Sequence, residues 1–173
     1  ERYQTSSGTV GATTLSAEHI RIDSDKLELD FPAKGGTQRH VELEDEDLIA
    51  AVKQCQKSDG KYVFARNGRP VSAGRVNDFL EDCCGARFTA KTFRTWKGSV
   101  AATSALKKTS KPTIKIVSEA ASDALGNTPA IARKSYIHPR IIDAASDGIK
   151  SISMAGPTRL RADERRCFYL ITR

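Results

Sequence analysis

At 173 residues and 18.9 kDa, with a net charge of +7 and a pI of 9.4, the chain is long enough to bury a real core in one domain. No apolar run approaches the ~20 residues of a membrane span, and no secretory signal is expected. Four cysteines (Cys55, Cys83, Cys84, Cys167) and three histidines without metal-ligand spacing argue against a zinc site or a disulfide framework, so reduced thiols in a cytoplasmic setting are expected.

The charge is unevenly spread. Residues 1–60 carry seven Lys/Arg against twelve Asp/Glu, net −5, and residues 61–140 carry fifteen against five, net +10. Residues 141–173 add six against four, net +2. So basic a middle points to a polyanion, nucleic acid before any other, with a solubilising surface as the plainer alternative.

In chain order, residues 13–44 read as β-rich. His19–Ile20–Arg21–Ile22 alternates, Leu27–Phe31 alternates again, and Arg39–Leu43 makes a third short run. Ser24–Asp25 is a turn signal, and the Pro32–Gly36 turn lifts Lys34 to a hairpin tip or shoulder. From Asp45 the period is helical, with Leu48, Ile49, Val52 and Cys55 on one face. Lys61–Pro70 reads as a loop broken by Gly60 and Gly68. Ser72 caps a helix carrying Val76, Phe79 and Leu80 that Gly85 ends. Thr89 caps a longer one, with Phe93, Trp96, Val100 and Ala101 as its apolar stripe.

Lys107–Pro112 is a basic turn, after which Ile114, Val117, Ala121, Ala124 and Leu125 line a helix closed by Gly126. The stretch Gly126–Pro139, reading GNTPAIARKSYIHP, then places Thr128 as a cap, Pro129 in a first helical turn, and Tyr136 beside Arg133 and Lys134 before Pro139 stops the helix. Residues 140–149 and 161–172 read as two more short helices. The fold class expected is α+β, mostly α-helical, with a small three-stranded antiparallel sheet (13–44) followed by helices (45–173).

Four motifs then stand in one order: Gly11-Ala12-Thr13-Thr14-Leu15, the Lys34 hairpin, Lys91-Thr92-Phe93-Arg94-Thr95-Trp96, and Gly126–Tyr136. Together they resemble the catalytic domain of a type IB DNA topoisomerase of the compact bacterial and poxvirus kind, over nearly the whole chain from Tyr3 to Arg166. The resemblance implies a tyrosine that attacks a DNA phosphodiester, leaving a 3′-phosphotyrosyl bond and a free 5′-hydroxyl. Rotation of the broken strand releases supercoils before resealing, with no ATP and no metal or other cofactor. Tyr136 matches the nucleophile and Arg94 an arginine that holds the non-bridging oxygens. Asn127 falls where members carry a histidine or asparagine donor, and Lys34 matches the general acid for the departing 5′ oxygen. Arg2, Tyr3, Arg66, Arg69, Arg75, Lys97, Arg133 and Lys134 are candidate DNA contacts. The partner implied is duplex DNA engaged by a monomer, with no membrane.

The residue types suit the chemistry. Charge builds on equatorial oxygens in phosphoryl transfer, where fixed donors help most, and the planar arginine fork reaches two of them at once. The family also has another essential arginine, which ungapped extension puts about three residues before Glu1, so the chain reads as a truncated catalytic domain without the N-terminal clamp domain and is expected to act poorly alone. Nine residues along one helix would span ~13 Å, so Asn127 and Tyr136 can serve one phosphate only if the chain bends between them.

Each residue also has a plainer reading. Lys34 is then a solvated turn lysine, Arg94 the partner of a nearby acid, and Asn127 an αL residue after Gly126. Phe93 and Trp96 are core, and His40 and His138 are packing or surface groups. Two other functions compete. A tyrosine recombinase shares the fold and nucleophile chemistry, and its Leu-Gly-His…Tyr segment resembles Leu125-Gly126-Asn127…Tyr136; Lys91, where recombinases place histidine, speaks against it. The other is a DNA-binding module without catalysis.

Overall fold

Strand alternation in the first third produces an antiparallel sheet of order β1-β2-β3, made of β1 (Ile20–Asp23), β2 (Lys26–Pro32) and β3 (Gln38–Leu43). The computed structural model describes residues 8–33, 36–56, 60–149 and 151–173, and its contacts fall into two units, Glu1–Phe79 and Leu80–Arg173.

In the first unit the register pairs Ile20 with Leu29, Ile22 with Leu27, and Leu27 with Leu43, so one sheet face is apolar at these positions. That face packs on α1 (Glu46–Gln56) through Ile49 and Val52, with Val63 completing the core. Asp45 accepts from the Leu48 N–H at 2.8 Å and so caps α1, and Glu46 and Asp47 in its first turn complement the helix dipole. Leu48, expected on the buried face, is exposed because that face centres on Ile49 and Val52. The β-rich reading also needs trimming at its start, since Ala12–Thr14 and Ala17–His19 are single 3-10 turns and β1 begins at Ile20.

Lys61–Pro70 is not a plain loop. Ala65–Arg66 (β4) pairs with Arg69–Pro70 (β5) across Asn67 (φ 53°) and Gly68 (φ 73°), a two-residue turn in the left-handed region. An Asn-Gly pair announces such a hairpin, but strands of two residues leave no period to read. Helix α2 (Ala73–Cys84) starts as expected, with Ser72 Oγ accepting from the Arg75 N–H at 3.3 Å, and ends at Gly85 (φ 64°). Its stripe does not form a core: no residue of α2 is buried, and Phe79 is exposed.

The second unit is helical: α3 (Ala90–Lys108), α4 (Ile114–Leu125), α5 (Pro129–Ser135), α6 (Pro139–Asp147) and α7 (Ala162–Thr172). Thr89, Thr113 and Thr128 each accept a backbone N–H three residues on, and Gly126 (φ 61°) and Gly148 (φ 71°) close α4 and α6. Pro139 does end the stretch after Tyr136, but as the first residue of α6, where its missing N–H costs nothing. Helix α3 runs through Lys108 into the expected basic turn.

The core of this unit gathers Val100, Leu106, Val117, Ala121, Ala132 and Ile141 around Cys167. Burial pushes the Cys167 thiol up to about 11, which makes it an inert packing group. The buried face of α3 is Gly98, Ser99, Val100, Ala102, Thr103 and Leu106, whereas Phe93, expected in the core, is half exposed. The expected stripe meets this face only at Val100, because Gly98, Ser99 and Thr103 are small or polar and carry no apolar signal. The Thr103 hydroxyl satisfies itself by donating to the Ser99 carbonyl at 2.9 Å. Trp96 packs at the edge of the core and lies 3.5 Å from Glu164 Oε1, whose carboxyl the Arg161 backbone N–H holds below the usual range.

Candidate active site

Three of the expected catalytic residues, Arg94, Asn127 and Tyr136, lie in the second unit, and two of them touch. Arg94 projects from the first turns of α3, and its guanidinium carbon stands 4.9 Å from the centre of the Tyr136 ring. The same guanidinium donates to the Leu125 carbonyl at 3.4 Å. Leu125 ends α4, so its carbonyl is one of the last four that lack a partner inside the helix, and a cation there complements the dipole. These partners replace the acid that the plainer reading of Arg94 required. Both contacts are weak ones for an exposed arginine.

Asn127 is held by its backbone and free at its side chain. Its N–H donates to the Ser122 carbonyl at 3.2 Å, and the Ser122 hydroxyl donates back to the Asn127 carbonyl. Gly126 takes the left-handed conformation at this helix end; Asn127 does not, against the αL reading. Both polar atoms of the Asn127 amide are buried with no hydrogen-bond partner among the described residues. A buried amide left this way costs about 1–3 kcal/mol, a cost that a bound hydrogen-bonding partner would remove.

The bend that the nine-residue step demands is present. Helix α5 holds only Pro129–Ser135, and Tyr136 caps it with φ −137° and ψ 0°, outside helical geometry. The chain leaves Leu125, runs through α5, and returns to the same guanidinium at Tyr136. Beyond it, the His138 N–H donates to the Ser99 hydroxyl at 3.0 Å, and His138 Nδ1 caps α6 by accepting from Arg140 at 3.3 Å. Ser99 was missed in the sequence because nothing distinguishes a buried hydroxyl from a surface one until its partner, 39 residues away, is known.

Lys34 lies outside the described residues, as do Arg2 and Tyr3. Next to Lys34, the Ala33 N–H donates to the Thr37 carbonyl at 2.9 Å, between β2 and β3 where the Pro32–Gly36 stretch signals a turn. Among the expected DNA contacts, Lys97, Arg133 and Lys134 are exposed in the helical unit, and Arg66, Arg69 and Arg75 are exposed in the first. Arg66 and Arg69 stand directly opposite each other across β4 and β5. Like charges in that position are destabilising by themselves and are relieved by an anion. Among the described residues, no helix is long and apolar enough to cross a membrane.

Comparison with known proteins agrees with these motifs. Residues 1–152 match the family described as eukaryotic DNA topoisomerase I, catalytic core. A DNA topoisomerase 1B of Acanthamoeba polyphaga mimivirus is 24% identical over 157 residues, covering 79% of this chain and 47% of that protein. The chain thus spans about half the length of the curated relative it matches. A helical unit joined to a three-stranded antiparallel sheet, a family match over most of the chain, and the arginine and tyrosine motifs in their order lead to one conclusion: the chain belongs to the type IB topoisomerases, the family of the eukaryotic DNA topoisomerase I catalytic core.

Proposed function

We propose that this chain carries the strand-cleaving and rejoining chemistry of a DNA topoisomerase, relaxing supercoiled duplex DNA through a transient 3′-phosphotyrosyl bond. The observation that carries the reading is the stacking of Arg94 on Tyr136, with the Leu125 carbonyl, two residues before Asn127, held by the same guanidinium. In this reading the Tyr136 phenol gives up its proton to water as its oxygen attacks the phosphorus, and the 5′ oxygen departs with a proton from Lys34. General-acid help of this type is worth typically ~10²–10⁴-fold. Arg94 leaves its two resting partners for the non-bridging oxygens, and the Asn127 amide supplies a further donor there. The phosphotyrosyl ester keeps the energy of the broken bond, so rotation and resealing require neither ATP nor a metal ion. The exposed basic residues hold the backbone around the break, and binding weakens steeply with salt.

The test is plasmid relaxation by the natural protein that contains this chain, in EDTA and without ATP, with denaturation during the reaction to trap a covalent adduct. Relaxation with an adduct on the 3′ side of the nick is expected. Site-specific exchange between two duplexes would instead select a recombinase, and salt-sensitive binding with no adduct a non-catalytic module.

Asn127→Ala separates stability from activity. The amide is buried and unpartnered in the free protein, so removing it should leave the thermal midpoint level or raised. Cleavage should fall by about 10²–10³-fold, the usual cost of one transition-state donor. A parallel loss of stability, or undiminished cleavage, would remove the amide from the site.

A further inference from the structure

Gly98 lies one helical turn after Arg94, on the same side of α3, and faces the same two residues. A Cβ built on Gly98 would stand 2.7 Å from the Tyr136 carbonyl oxygen, 2.9 Å from Leu125 Cδ1 and 3.4 Å from Tyr136 Cβ. The leucine methyl can swing aside; the carbonyl belongs to the backbone and cannot move without carrying Tyr136 with it. The helix itself does not require glycine here, since Gly98 is not among the residues with positive φ and alanine is the better helix former. The missing side chain therefore serves the approach of the tyrosine segment to α3. The next residue completes the attachment, because the buried Ser99 hydroxyl accepts the His138 N–H at 3.0 Å, two residues past Tyr136.

We infer that Gly98 and Ser99 are positioning residues for strand cleavage: they seat the Tyr136–His138 backbone directly on α3 and so set the height of the phenol relative to Arg94, one turn away. The inference rests on the topoisomerase reading above. It adds that the spacing of nucleophile and guanidinium is gauged by a backbone contact, not by the two side chains alone. A methyl group at position 98 lifts Tyr136 and presses on Leu125, which adjoins the Gly126–Asn127 corner. Both sides of the site then shift against Arg94, while the lysines and arginines proposed to hold DNA keep their charge and their exposure.

The experiment compares the natural protein with its Gly98→Ala and Ser99→Ala variants, measuring single-turnover cleavage at saturating DNA, resealing, and DNA affinity. Displacement of reacting groups by about an ångström costs on the order of 10²-fold, so Gly98→Ala should lose about that in cleavage and in resealing alike. The cleavage equilibrium and the DNA affinity should stay unchanged. Ser99→Ala, which only deprives the His138 N–H of its acceptor, should lose less in the same two rates. An Arg94→Ala change made on the Gly98→Ala background should cost less than in the parent, because the guanidinium is already misplaced. Parent-level cleavage by Gly98→Ala, or losses at positions 94 and 98 that simply multiply, would overturn the seat while leaving the topoisomerase reading intact. A parent protein that forms no covalent adduct overturns that reading, and the seat with it.

Discussion

Replacing Tyr136 with phenylalanine should abolish covalent adduct formation and plasmid relaxation, with a loss on the order of 10⁶-fold, the scale reached when a covalent nucleophile is removed. The substitution takes away one oxygen and keeps the ring on which Arg94 stacks, so the local structure should persist. DNA affinity and its salt dependence should stay near those of the parent, because in the proposed reading the exposed basic residues supply them. Filter binding at several salt concentrations, run beside an adduct assay, checks both halves. Relaxation by the phenylalanine variant at the parent rate would end the proposed mechanism; loss of binding would recast Tyr136 as a structural residue.

Arg94→Ala comes next in size. An arginine aimed at transferring phosphoryl oxygens is worth about 10³–10⁵-fold in rate, and that loss should appear in cleavage at saturating DNA. Arg94→Lys should recover little of it. A lysine keeps the charge but not the planar fork, and it cannot both face a ring and donate to two oxygens at fixed spacing. Stability should change little in either variant, since the resting contacts of Arg94 are a ring face and a carbonyl at 3.4 Å on an exposed side chain. Full rescue by lysine would reduce Arg94 to a point charge that attracts DNA.

The two variants also differ in what they leave behind. Without the phenol the donors still surround the phosphate, so DNA should remain bound in a cleavage-ready state. Without the guanidinium the phenol remains but faces charge with one fewer partner, so slow adduct formation should persist over long incubation.

Much of the helical unit was legible because its boundaries are local chemistry. Thr89, Thr128, Pro129, Gly126 and Gly85 act within four residues of themselves, and each does in the structure what its type dictates. Alternation likewise marked the three strands and the apolar face they share, since a period of two needs no distant partner. Burial was read less well. Phe93 and Phe79 are large and apolar yet exposed, whereas Ser99 and Thr103 are polar yet buried. Which side of a helix is inside depends on what packs against it, and half of the buried face of α3 is glycine, serine and threonine, which carry no hydrophobic signal.

By itself, the sequence determined the residue types able to do phosphoryl transfer, their order along the chain, and the turns that separate them. Only the tertiary structure decided that Arg94 meets Tyr136 and the Leu125 carbonyl together, and that Gly98 lies under the same tyrosine. The reason is one of range. Caps and turns are set by neighbours a few bonds away, whereas residues 94, 98, 125 and 136 come together only after α3, α4 and α5 have buried their shared core.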